Sequence, residues 1–347
     1  MEELLPKDNE TIHLPLDGPV MRTEPQGFTA DQMIRCDQCL RANPPTRISC
    51  LYCDAALPIT ESSAQLRRLT LRQPEKHELG FNCIFLPGTE PVQQESIESA
   101  ANLLKLAPED LRRITGSSLP LPLARAISNE EIQLLFERLA SLSVQTLTLS
   151  DHDLGIREES VVRPRSLEFE SEHLVVQQAG GKGGVEVAWS DLALTVSGRL
   201  VIKKIEVKER VSRRAENELL ETNQYFADEA VFDLYSSSND ESWRFGANSF
   251  DFSCLGDQKT LVAGENLKKL HALISAKVDT LCEDDSYNDV KTLLELVWPC
   301  EQESQSHGLR REWLGKYSLG ASTVSTNEMQ FTRYSRLRQY FALNRSN

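Results

Sequence analysis

Two cysteine pairs place the tightest constraint on this chain: Cys36-Asp37-Gln38-Cys39 and Cys50-Leu51-Tyr52-Cys53, with ten residues between them. A Cys-x-x-Cys turn aims two thiolates at one point while backbone amides stabilise the sulfur charge. Two such turns on neighbouring hairpins complete a tetrahedral site with sulfurs about 2.3 Å from zinc. Cys36, Cys39, Cys50 and Cys53 are therefore the expected metal ligands. Four thiolates leave no open coordination position, so the expected Zn2+ is structural rather than catalytic.

The segment 33–59 resembles a zinc ribbon. A rubredoxin-like iron site shares the ligand set, and spacing alone does not separate the two metals. Ribbons dock on nucleic acid or on protein, or only stabilise a small module. Within 31–60, Arg35, Arg41 and Arg47 balance Asp31, Asp37 and Asp54. A neutral knuckle points to a protein partner or a structural role.

The chain of 347 residues has room for two or three domains. Its net charge of −14 argues against a general polyanion binder, which needs clustered Lys and Arg against phosphate. The N-terminus, Met1-Glu2-Glu3-Leu4-Leu5-Pro6-Lys7-Asp8, lacks the basic and apolar regions of a secretory signal, and no apolar run is long enough for a bilayer. A cytoplasmic protein without membrane insertion is expected. Cys83, Cys254, Cys282 and Cys300 are scattered, and in a reducing compartment they read as buried thiols.

Residues 1–32 lack an apolar period and read as a flexible N-terminal arm, and 60–78 as a polar linker. Punctuation is sharper over 79–153. Phe81, Cys83 and Phe85 alternate as a strand, and Ile97, Ala100, Ala101 and Leu104 form a helical stripe. Pro108 opens a second helix that Gly116 ends. After the strand at Leu119–Leu123, Ser128 and Glu131 form a capping box for a helix running to about Leu142, and 146–150 is a last strand. The order is βααβαβ. The run Leu121-Pro122-Leu123-Ala124-Arg125-Ala126-Ile127-Ser128-Asn129-Glu130-Glu131, with 139–149, resembles the C-terminal domain of the bacterial ribosomal stalk protein. That family's factor-binding surface is a lysine-rich helix pair. Here the first helix carries Glu95 and Glu98, so the resemblance implies fold and not factor binding.

A strand-rich pattern fills 166–280: alternation at 167–169, 174–178, 185–189 and 192–196, then strands at 200–207, 230–235, 243–247 and 250–252. A helix over 265–279 follows, with Leu267, Leu270, Ile274 and Val278 inside and His271 on its flank. Short strands capped by one helix resemble a pleckstrin-homology-like barrel. That likeness would imply phosphoinositide binding, but the first loop, Glu170-Ser171-Glu172-His173, is acidic, so such binding is not expected. Gly180-Gly181-Lys182-Gly183-Gly184 lacks phosphate-loop spacing and reads as a hairpin loop. Asp151-His152-Asp153, without a nucleophile motif, reads as a solvated linker.

Residues 281–347 read as a helical C-terminal extension. From 309 onward seven basic residues stand against Glu312 and Glu328, with aromatics between them. Arg333, Arg336 and Arg338 are the candidate partner-binding residues, since cations with stacking surfaces suit single-stranded nucleic acid. The competing reading packs the aromatic face on the barrel, and we prefer it. The whole is a multidomain α+β chain: a four-cysteine ribbon, a βααβαβ domain, and a helix-capped barrel with a helical extension. The expected function is a non-catalytic zinc-binding adaptor for protein partners. The rivals are a ribosome- or nucleic-acid-associated factor, and an enzyme whose residues converge only in three dimensions.

Overall fold

The computed structural model describes residues 27–58, 69, 71–75, 78–156, 161–178, 184–211, 218–238, 242–313 and 316–344. The chain divides into two units, 1–68 and 69–347. Of the expected arm, only 27–32 are described, ending in a short turn at Ala30–Gln32. The Gly180–Gly183 part of the glycine-rich loop lies outside the described residues.

In the first unit, strand β1 (Ile34–Arg35) pairs antiparallel with β2 (Ala42–Asn43), and a bridge joins Ser49 to Ala56. Among the described residues the core is Ile34, Cys36, Cys50 and Leu57, with Cys39 and Ala55 packed against it. So small a core cannot offset the entropy of ordering the segment without a staple.

The second unit opens with the βααβαβ order. Strand β3 (Phe81–Phe85) is central, with β4 (Leu121–Ala126) and β5 (Thr146–Ser150) antiparallel on either side. Helices α1 (Gln94–Leu104) and α2 (Pro108–Thr115) join the first two strands, and α3 (Asn129–Ser141) joins the last two. Helix α1 buries Ile97, Ala100, Ala101 and Leu104, the stripe its spacing predicts. Pro108 sits in the first turn of α2, Gly116 caps its end, and the Ser128 hydroxyl accepts the Glu131 N–H. Part of the expected linker is instead folded against this layer. Leu71 is buried and its N–H meets the Glu131 carboxylate, while Arg72 O accepts from the Ile127 N–H. An apolar Leu71 with its amide satisfied is better placed there than in water.

Strands β6 (Pro164–Phe169), β7 (His173–Gln178) and β8 (Val185–Ala188) form a meander. The next three, β9 (Leu192–Val211), β10 (Glu218–Ser236) and β11 (Ser242–Gly246), are antiparallel neighbours in a second sheet. Together they curl into a half-barrel. Its core meets from both sheets: Leu167, Leu174, Val176 and Val187 from the meander, Phe232, Leu234, Trp243 and Phe245 from the other. Helix α4 (Ala263–Ser275) adds Leu267, Leu270 and Ile274. The strand expected at 250–252 is not one. Phe252 begins a tight turn to Gln258, with Phe250 edge-on to Phe245 and Phe252.

The C-terminal extension is corrected most. Short β12 (Cys282–Asp284) runs parallel to β9, and α5 (Tyr287–Leu294) and α6 (Glu328–Asn344) are helical. Between them β13 (Glu301–Trp313) and β14 (Lys316–Thr326) form a long hairpin, and β14 pairs with the outer half of β9. The 20-residue β9 offers an open ladder edge there, and the Ser, Thr and Val run of β14 suits an extended backbone. The buried-thiol expectation holds for Cys83, whereas Cys254 and Cys300 are half-buried and Cys282 is exposed.

Among the described residues two apolar clusters fill the second unit, and one of them, from Leu167 to Val278, lies within the expected 166–280 division. The other joins the β3–β5 layer to Leu194, Val196 and Tyr235 of the second sheet, and to Tyr287, Trp298, Phe331, Tyr334 and Leu337. Gly198 makes this approach possible: a Cβ there would lie 2.5 Å from the Phe331 ring. At the centre is Asp151, fully buried and not the solvated linker its neighbours suggested. Its carboxylate accepts from Arg125 at 2.5 Å, from the Gly80 N–H at 2.9 Å and from the Asn82 side chain at 2.9 Å. Asn82 in turn accepts from the Trp298 indole, and the Arg333 guanidinium approaches Asp151 to 4.0 Å.

Burial alone would raise the Asp151 carboxyl, but Arg125, then Arg333 and Asn82, hold it below the usual carboxylate range. Its contribution to stability is therefore complete above about pH 4 and is lost as pH falls through the depressed folded-state value. Replacing it, Asp151→Asn, strands two buried guanidiniums. The expected cost is about 3–5 kcal/mol in urea unfolding at pH 7. The variant should also lack the part of the wild type's acid-side loss of stability that Asp151 contributes.

Candidate metal centre

The two knuckles of the first unit are built alike. Cys36 O accepts from the Leu40 N–H at 2.8 Å, and Cys50 O from the Asp54 N–H at 3.0 Å. One residue on, the Cys36 N–H meets Arg41 O and the Cys50 N–H meets Ala55 O. Each turn closes on a left-handed residue, Leu40 at φ 59° and Asp54 at φ 56°. That bend returns the chain and leaves both sulfurs of each pair on one side.

The four sulfurs, Cys36, Cys39, Cys50 and Cys53, lie within 4.8 Å of one another. Across the pairs, Cys36 to Cys53 is 3.6 Å and Cys39 to Cys50 is 3.5 Å. Tetrahedral bonds of about 2.3 Å would set sulfurs about 3.8 Å apart, so this donor set fits a four-thiolate zinc site. Cys36 and Cys50 are buried, Cys39 is half-buried and Cys53 is exposed, so the site is closed on one side and reachable from the other.

The thiols differ in acidity. Desolvation raises Cys50, but the Tyr52 and Cys53 N–H groups, Cys39 and Asn43 outweigh it and bring Cys50 down to about 6. For Cys53 the Ala55 N–H lowers the value, yet desolvation and the three neighbouring sulfurs push it up to about 12. Sulfurs this close resist ionising together unless a cation offsets their charge. A bound zinc would supply that charge and cross-link both turns, and with four thiolates it would act as a staple.

Arg333, Arg336 and Arg338 lie on α6 in the second unit and point into it. Arg333 faces Asp151 and is lowered to about 10 by burial and by Arg125. The buried Arg336 has its guanidinium 5.5 Å from the Tyr235 ring centre and donates to Gln339. The Arg338 guanidinium is ion-paired to Asp284, which also accepts from Tyr334. The aromatic face of α6, Phe331 and Tyr334, packs inward, into the cluster shared with the β3–β5 layer rather than into the barrel core. A mostly buried cation already set against a carboxylate or a ring has little to offer a nucleic acid.

Two residues escaped sequence reasoning. Asp151 sat in a polar triplet at a strand end, and only its place after the largely buried β4–β3–β5 layer marks it. Asn43 also went unremarked, its one signal being a lone amide just before Pro44-Pro45. Among the described residues no helix is long and apolar enough to cross a membrane. Compared with protein-family models, curated proteins and solved structures, the chain matches none.

The purified chain is expected to hold a single zinc, measured by elemental mass spectrometry. Cys36→Ser or Cys53→Ser should lose it and unfold the first unit, because such binding supplies on the order of 10 kcal/mol of folding free energy. Unchanged metal content in either variant would contradict the assignment.

Proposed function

We propose that this chain is a non-catalytic, zinc-stabilised cytoplasmic adaptor that docks protein partners through the tips of its two knuckles. The observation that carries the reading is Leu40. Its backbone is left-handed at φ 59°, and its side chain is 70 % exposed. A left-handed conformation costs an L-residue with a Cβ about 1–2 kcal/mol, and Gly or Asn would relieve it. An exposed leucine there returns nothing to the module's own core. Leu51 and Tyr52, on the second knuckle, are also more than half exposed, and the Arg41 guanidinium lies 4.7 Å over the Tyr52 ring. Apolar and aromatic side chains beside an arginine are the composition of a protein-binding hot spot.

The ribosome- or nucleic-acid-associated alternative leaned on Arg333, Arg336 and Arg338, which are engaged inside the second unit. The likeness to a pleckstrin-type barrel supports docking as well, but its first loop, between β6 and β7, is the acidic Glu170-Ser171-Glu172. We therefore expect no more retention on phosphoinositide vesicles than on phosphatidylcholine vesicles, and specific micromolar binding would refute this.

The adaptor reading is tested by using the zinc-loaded full chain as bait in cytosol, with and without nuclease. A discrete protein should survive nuclease and be lost with Leu40→Asp or Tyr52→Ala while zinc content stays unchanged. Nuclease-sensitive recovery that neither substitution affects would favour the nucleic-acid alternative.

A further inference from the structure

Asn43 ends β2, and the following Pro44 restricts it to extended backbone. Its side chain is completely buried, 0 % exposed, in a module with almost no interior. A buried primary amide has two N–H donors and one carbonyl to satisfy. The carbonyl Oδ1 accepts the Leu51 N–H at 2.8 Å, and Nδ2 donates to Arg41 O at 2.9 Å. These backbone partners fix which end of the amide is which, since an N–H must meet an oxygen and a carbonyl must meet an N–H. The remaining Nδ2 proton then has one direction left, and Nδ2 lies 3.4 Å from the Cys50 sulfur.

From this forced orientation we infer that Asn43 is a positioning residue of the metal centre, donating to the Cys50 thiolate and clamping the two knuckles together. The inference rests on the zinc reading above and deepens it. Arg41 follows the first knuckle and Leu51 lies inside the second, so one side chain fixes their separation. A four-thiolate zinc site carries two net negative charges, and each N–H aimed at sulfur offsets part of that charge. The Tyr52 backbone N–H supplies one such bond to Cys50 at 3.4 Å, and Asn43 supplies a side-chain one. Groups that orient a ligand in this way tune metal affinity, and their loss typically costs about 10–100-fold.

The test is Asn43→Asp in the full chain. It keeps the size and the acceptor for Leu51, but turns a carboxylate oxygen toward the sulfur and the Arg41 carbonyl. Zinc affinity, measured by competition with a chromophoric chelator, should fall about 10–100-fold. The cobalt-substituted protein gives a second readout. Losing an N–H bond raises the energy of the sulfur lone pair, so the thiolate-to-cobalt charge-transfer band should move to longer wavelength. Leu57→Ala serves as the structural control, because it removes apolar volume from the module's small core and replaces neither a ligand nor the Asn43 donor. It should weaken binding and leave the band in place.

Wild-type affinity in Asn43→Asp would overturn the assignment. So would weakened binding with an unmoved band, the behaviour of the Leu57→Ala control. If the wild-type chain itself takes up neither zinc nor cobalt, the zinc reading fails and the assignment falls with it. That outcome is distinguishable, because the other two both require a metal-loaded wild type.

Discussion

A buried carboxylate organises the second unit. Asp151 immediately follows β5, yet the groups around it come from β3, β4, the segment after α5, and α6. An ion inside a protein is tolerated only where nearby dipoles and opposite charges replace its lost hydration. Here Gly80, Asn82, Arg125 and Arg333 make that replacement, so their elements must arrive together. The consequence reaches the chain's organisation. Helix α6 follows Asp151 by more than 170 residues, yet it shares an apolar core with the layer that Asp151 closes. Arg244, paired with Asp233 and lying 4.7 Å over the Phe331 ring, repeats the rule on the other side of the same helix.

The first unit meets the same rule with a different counter-ion. Its four sulfurs are as crowded as the groups around Asp151, but among the described residues no ion pair to a guanidinium is found there, and the buried core is Ile34, Cys36, Cys50 and Leu57. A divalent cation can both offset the charge and replace the missing core. The two units thus show two solutions to one electrostatic problem. In the larger, apolar burial can carry the cost of desolvating ion pairs. In the smaller, a bound metal would supply through its bonds to sulfur the folding free energy that burial does not.

What the sequence made legible follows from the range over which each signal acts. The knuckles were readable because ligand spacing is local, and α1 and α2 because an apolar stripe, a first-turn proline and a capping glycine are local too. The hairpin of β13 and β14 was not readable, since its first strand is a polar run and its stability comes from pairing with β9, about a hundred residues earlier. Asp151 was hidden for the same reason: its partners Arg125, Asn82 and Arg333 are dispersed, and its neighbours His152 and Asp153 are exposed. Asn43 was hidden because hydrogen bonds to Arg41, Leu51 and Cys50 leave no periodicity.

The inward placement of the α6 arginines redistributes where function can reside. A guanidinium can neutralise a buried carboxylate or meet an external phosphate, and withdrawing it from the first would leave the carboxylate uncompensated at several kcal/mol, by order of magnitude. Arg338, paired to Asp284, is therefore held by the fold. The knuckle tips carry the opposite signature. Leu40, Leu51 and Tyr52 contribute little to their own module, and Leu40 occupies a backbone conformation that disfavours it. Residues whose removal would relieve strain without exposing a core are free to be set by an external contact. That contrast, between charged side chains the fold requires and apolar ones it does not, is what the proposed docking surface at the knuckle tips rests on.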